Sequence, residues 1–170
     1  KERNMVKNLL LIRHADALLQ TKDQRDFQRV LSARGINQAA LLGDYLSLMD
    51  LNFDTLFLSP AERTKQTTKI ISKNLKSVPK DIITEEFYEA TLNTMIASVN
   101  RLEPMHTNVI LVGHNPSIAS LCQHLIGDQY LNFTTAACAH IEFEFEDWSM
   151  AIKRSGILKD FYYPGKMDLI

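Results

Sequence analysis

Short apolar runs alternate with helix-spaced segments along this chain, and that alternation limits the folds open to it. Asn8–Ile12 is a continuous apolar run, the pattern of a strand buried on both faces. Phe53–Leu58 and Asn108–Val112 repeat it, and Ile82–Phe87 is a weaker version. Between them lie segments with helical spacing. Gly35–Met49 places Ile36, Ala39, Ala40, Gly43 and Leu46 on one face. Ser59-Pro60-Ala61-Glu62 has the form of a capping box, with Ser at the N-cap, Pro at N1 and Glu at N3. The helix it opens runs to about Leu75, with Thr64, Thr68, Ile71 and Leu75 aligned. Leu92–Leu102 is a third helix. The fourth follows Asn115 as N-cap and Pro116 at N1, and aligns Ile118, Leu121, Cys122 and Leu125. Ala139–Phe145 alternates apolar with polar, mostly acidic, residues, as an edge strand with one wet face does. From Trp148 onward the pattern is unassigned. Repeated strand–helix units predict a three-layer α/β/α fold with a mainly parallel central sheet and one antiparallel edge strand.

At 170 residues and 45% apolar composition, the chain can bury a core without disulfide or metal, so one domain over residues 5–170 is expected. Lys1–Asn4 is set aside, with Met5 as a candidate start. Basic and acidic residues number 19 and 20, for a net charge of −1. Nonspecific nucleic-acid binding and adhesion to a membrane surface both need a basic excess, so neither is expected. Anions must instead be met by a local cluster of arginines. No apolar run reaches the ~18 residues of a spanning helix, and the polar N-terminus lacks a signal-peptide core. Cys122 and Cys138 lie in apolar surroundings and form no metal or redox motif; buried, reduced thiols in a cytoplasmic protein are expected.

Open parallel sheets bind ligands beyond the C-terminal ends of their strands. Three such turns carry polar residues that core packing does not require. The first is Arg13-His14-Ala15-Asp16, the second Ser59 to Thr64 with Arg63, and the third Gly113-His114-Asn115-Pro116. Guanidinium matches phosphate oxygens bidentately, and imidazole is a nucleophile able to carry a covalent group. Taken singly, His14 reads as a buried strand-end histidine, Arg63 as a solvated arginine and His114 as a turn residue. Arg13 at the end of a central strand needs a counter-charge. Together the turns point to an anion site. A polar stretch from Asp16 to Ala33 is longer than an ordinary connection, and holds Arg25 and Arg29, with Arg34 directly after it, where at least one can reach that site.

With these residues in place, the sequence resembles the histidine phosphatase superfamily, and most nearly its small SixA-type phosphohistidine phosphatases. The R-H-(G/A) signature stands as Arg13-His14-Ala15, and S-P-x-x-R-x-x-Q-T as Ser59 to Thr67. V-G-H-N-P stands as Val112 to Pro116, and D-x-x-R-x-L-(T/S)-x-x-G as Asp26 to Gly35. The resemblance implies a phosphoglycerate-mutase-like fold and a reaction that uses no metal and no cofactor. It implies that His14 is the phosphorylated nucleophile, that Arg13 and Arg63 bind phosphoryl oxygens, that His114 stabilises the transition state, and that Arg29 adds a phosphate contact. The larger members carry a general-acid glutamate after the third strand. Here Glu86 and Glu89 occupy that region without matching cleanly, and little chain remains to roof the site. Both departures favour a phosphohistidine on a protein as substrate, since a phosphoramidate leaves without much acid assistance. A small phosphomonoester is the alternative substrate, and a non-catalytic phosphate-binding module the alternative function.

Overall fold

A computed structural model describes residues 5–127 and 129–166; Lys1–Asn4 and the last four residues of the expected domain lie outside that range. Six strands form one sheet: β1 (Lys7–Arg13), β2 (Thr55–Leu58), β3 (Lys80–Ile83), β4 (Asn108–Gly113), β5 (Cys138–Phe143) and β6 (Ile157–Tyr162). Their order is β3-β2-β4-β1-β5-β6. β1, β2, β3 and β4 pair in parallel, and β5 runs antiparallel to both β1 and β6. The mainly parallel sheet with its antiparallel side is thus the one expected. On that side a further strand, β6, lies outside β5, from the tail that carried no readable pattern.

Among the described residues, four α-helices cover the sheet: α1 (Ala33–Ser47), α2 (Glu62–Ser72), α3 (Leu92–Asn100) and α4 (Ser117–Ile126). Alternate residues of each central strand separate into two cores, as the pleat requires. Leu10, Ile12, Leu56, Leu58, Ile110 and Val112 pack with Ala39, Leu42 and Leu46 of α1 and Ile71 of α2. Leu9, Leu11, Val109 and Leu111 pack on the other face with Met95, Leu121, Leu125 and Trp148. Burial on both faces explains why β1 reads as an unbroken apolar run.

Several local expectations are corrected. Ile36 is 52% exposed. The buried stripe of α1 is Gly35, Gln38, Ala39, Leu42, Gly43 and Leu46, shifted because a polar Gln38 faces inward to hold a loop. Ser59 is not an N-cap: α2 starts at Glu62 after Ala61, and Ser59 Oγ accepts from Ala61 N at 3.2 Å. Asn115 likewise does not cap α4, which starts at Ser117; its Nδ2 donates to the Phe133 carbonyl at 3.0 Å. Both polar residues are spent on joining loops at the strand ends. Ile82–Phe87 divides into the end of β3 and a 3₁₀ turn over Glu85–Phe87. Trp148 is fully buried, with Nε1 donating to the His106 carbonyl at 2.8 Å. Cys122 and Cys138 are buried free thiols, and burial pushes the Cys122 thiol up to about 12, far from reactive.

Candidate active site

The parallel register sets the ends of β1 and β4 side by side: Arg13 pairs with Gly113, and the His14 N–H donates to the Gly113 carbonyl at 3.0 Å. His14 and His114 therefore emerge together, with ring centroids 5.1 Å apart. β2 ends next to β4, where Ser59 N donates to the Val112 carbonyl at 3.1 Å. That fixes the entry into α2 and brings Arg63 over both imidazoles.

Arg63 is the hub. Its Nε donates to His14 Nε2 at 3.3 Å, and its Nη2 lies 3.3 Å from His114 Nδ1. A guanidinium only donates, so both of those ring nitrogens accept. The remaining nitrogens are then the protonated ones. His14 Nδ1–H donates to the Ala15 carbonyl at 2.7 Å, and His114 Nε2–H donates to Ser59 Oγ at 2.8 Å. The network thereby assigns His14 a lone pair on Nε2, directed at Arg63.

Electrostatics agree with neutral rings. Burial lowers the His14 pKa to about 4, helped by Arg63, Arg13 and Arg29 and opposed by the Ala15 carbonyl. Burial, His14 and Arg63 lower that of His114 to about 3. Both therefore stay unprotonated at neutral pH. Arg13 is anchored by Nη1 donating to the Phe133 carbonyl at 3.0 Å, while its Nε is buried with no hydrogen-bond partner among the described residues. An orphaned donor at the floor of a cationic pocket is the mark of an anion site.

The pocket, about 330 Å³, is lined by residues that include Arg13, His14, Asp16, Arg29, Arg63, His114, Asn115 and Thr135. All five residues singled out from sequence thus meet there. Of these three arginines only Arg29 arrives; Arg25, and Arg34 in the first turn of α1, are exposed and do not line it. Its Nε donates to the Leu18 carbonyl at 2.7 Å. Glu86 is directed elsewhere: it pairs with Arg101 at 2.5 Å and accepts from Ser98 Oγ at 2.7 Å, beside a separate apolar cavity that includes Phe57, Phe87 and His106. Glu89 is exposed and does not line the pocket either.

Sequence reasoning missed Asp26 and Tyr88. Asp26 Oδ1 accepts from Arg29 Nη1 at 3.0 Å, and Oδ2 accepts from Arg63 Nη2 at 3.1 Å and from Tyr88 OH at 2.9 Å. Burial raises the Asp26 pKa, but the bonds from Arg29 and Tyr88 and the charge of Arg63 outweigh it and hold the carboxyl at about 2. The signal was present, since Asp26 opens the loop motif that contains Arg29.

The family described as histidine phosphatase superfamily (branch 1) matches residues 9–95. The serine/threonine-protein phosphatase PGAM5, mitochondrial, of Xenopus tropicalis is 38% identical over 74 residues, 44% of this chain and 26% of that protein. The chain thus spans about a quarter of that relative. A candidate phosphohistidine phosphatase SixA from Nakamurella multipartitia superposes with a TM-score of 0.82 at 22% identity, covering 94% of this chain and 96% of that one. The protein histidine phosphatase SixA complexed with tungstate gives 0.81 at 20% identity, covering 94% and 99%.

Proposed function

The chain belongs to the histidine phosphatase superfamily, and from that premise we propose that it removes phosphoryl groups from phosphohistidine on a protein, through a phosphorylated His14. The observation that carries this reading is the His14–Arg63 pair, an uncharged imidazole with its lone pair turned into a cationic pocket.

The incoming phosphoryl group takes over the Arg63 donors and the unpartnered Arg13 Nε, and its oxygens spread over Arg13, Arg29 and Arg63. His14 Nε2 then attacks phosphorus. The P–N bond of the substrate breaks, and its electron pair returns to the departing ring nitrogen. His14 becomes a phosphoimidazolium whose Nδ1–H the Ala15 carbonyl already accepts. Water next attacks phosphorus, the electron pair returns to His14 Nε2, and H₂PO₄⁻ leaves. Neither step creates a strong base on the leaving group. A glutamate acid is not required for it, which fits Glu86 and Glu89 lying off the pocket. His114, with Nε2–H held by Ser59, turns Nδ1 toward the site; as the dianion arrives Nδ1 takes a proton from solvent to donate to a phosphoryl oxygen, and returns it to solvent when H₂PO₄⁻ leaves. Catalysis is positioning and fixed charge. No step passes through a metal, so turnover in excess EDTA should equal turnover without it.

A protein substrate is favoured by the pocket mouth. Leu19 sits on its rim 85% exposed, and Leu18 beside it is 51% exposed. Two apolar side chains left in water next to a reaction site suit a surface that docks there. No helix among the described residues is long and apolar enough to cross a membrane. The two buried free thiols, Cys122 and Cys138, support a reducing, cytoplasmic setting for the reaction.

The test is turnover of phosphohistidine proteins and of small phosphoesters by the wild type and His14→Ala. The variant should be inactive, and acid-free mass spectrometry of quenched wild type should find phosphate on His14. A His14→Ala protein that retains wild-type turnover defeats the proposal. Equal efficiency on small phosphoesters would favour the small-molecule reading, and inertness toward all of them the binding-module reading.

A further inference from the structure

The pocket that gathers three arginines also contains a carboxylate, Asp16. A fixed negative charge beside a phosphoryl dianion repels it, so its presence asks for a cation in the occupied site. Asp16 is also not a loose surface residue. Its backbone N–H donates to Gln38 Oε1 at 2.9 Å, and its carbonyl accepts from Ser32 N at 3.0 Å. Its Oδ2 accepts from Ser32 Oγ at 2.5 Å. Gly35 packs directly on the same peptide: a Cβ there would fall 1.9 Å from the Asp16 oxygen. Four constraints therefore mount this residue on the first turn of α1. Oδ1, by contrast, has no hydrogen bond, and no basic side chain lies within ion-pair distance of the carboxylate among the described residues. Arg13 feels its charge but does not pair with it; that guanidinium is committed to the Phe133 carbonyl.

We infer that Asp16 is a specificity-determining residue, whose free oxygen receives the N–H of a protonated nitrogen leaving group. The pocket then prefers a phosphoryl group carried on a cationic imidazole to one carried on oxygen. This inference rests on the phosphatase reading above. In the transfer step the proton stays where it is. The departing ring keeps its N–H against Asp16, gains the electron pair of the broken P–N bond and leaves neutral, while the positive charge passes to the His14 ring. An alkoxide or phenoxide leaving group offers Asp16 no donor and adds only repulsion.

The test compares kcat/KM for a phosphohistidine peptide and for p-nitrophenyl phosphate, using the full chain. Asp16→Asn keeps an acceptor for Ser32 but removes the charge. The ratio of phosphohistidine to p-nitrophenyl phosphate efficiency should fall at least tenfold, with KM for p-nitrophenyl phosphate lowered as repulsion is relieved. Equal losses on both substrates would mean that Asp16 only supports Arg13 and the loop, and would overturn the inference. A second measurement needs no variant. A phosphohistidine peptide methylated on its free ring nitrogen keeps the cation and loses the N–H, and the wild type should process it at least tenfold less efficiently. Undiminished efficiency overturns the inference. Wild type inert toward both substrates overturns the phosphatase reading itself, and this inference with it.

Discussion

Asp26 holds Arg63 at two points. Its Oδ2 accepts from Nη2 at 3.1 Å, and its backbone carbonyl accepts from Nη1 at 2.9 Å. The same carboxylate takes Arg29 on its other oxygen, so one residue sets the spacing of two guanidiniums. Asp26→Asn replaces an acceptor oxygen with an NH₂ that faces donors. Arg29 or Arg63 must then turn away. Misplacement of about 1 Å in a positioned group costs on the order of 10²-fold, so kcat/KM should fall 10- to 100-fold with the fold intact by circular dichroism. Tyr88→Phe removes a single donor to the same oxygen and should cost less. Equal activity of the Asp26 variant and the wild type would remove it from the positioning of the site.

Arg63→Lys tests whether charge alone suffices. The guanidinium reaches His14, His114 and Asp26 at once because its five donors fan out in a plane. An ammonium is a point charge on a flexible stem and reaches one or two of them. Steady-state turnover should fall about 10²- to 10³-fold, the cost of losing one positioned oxyanion donor. A loss below threefold would show that fixed geometry at this position is unimportant.

Why the site residues were legible, and their support was not, follows from range. His14, Arg63 and His114 stand at strand ends, where a hydrophobic run stops and topology dictates the meeting place. Arg29 came from a motif. Asp26 and Tyr88 meet across 62 residues of sequence, and no local periodicity announces such a pair. Ser59 and Asn115 were misread for a related reason. A serine or asparagine before a helix looks like a cap, but here each side chain serves a neighbouring loop instead. The sheet was legible where burial on both faces leaves an unbroken apolar run. β6 was not, because Ile157 and Lys159 of that strand are exposed and it mixes charge with aromatic residues.

Gly35 couples the helix to the pocket. A Cβ there would meet the Asp16 carbonyl oxygen at 1.9 Å, and backbone cannot swing aside as a side chain can. Gly35→Ala must push α1 from the Asp16 loop, breaking the bonds from Ser32. Overpacking of this kind costs about 1–3 kcal/mol, so the thermal midpoint should drop by several degrees, and kcat/KM should fall with it. Unchanged stability would mean that the loop shifts freely, and that Asp16 is not mounted as described.

Acid sensitivity should arise at the two imidazoles. An unfolded histidine binds its proton near pH 6.5, whereas folded His14 resists until about 4 and His114 until about 3. Between those values the unfolded chain holds more protons than the folded one, so stability falls as pH falls through the window and is complete above it. Asp26 acts later: its contribution is present above the ordinary carboxyl pKa of 3.8 and is lost as pH falls through about 2. Urea midpoints should therefore decline from pH 6.5 to 4, by an amount on the order of a few kcal/mol in unfolding free energy. His114→Asn keeps a polar side chain without the titration, and its midpoint should decline less steeply over the same interval. A wild-type profile flat from pH 7 to 4, or a variant slope equal to the wild-type slope, would mean that the imidazoles are solvated and charge freely. His14 would then lose the neutral lone pair on which its attack depends.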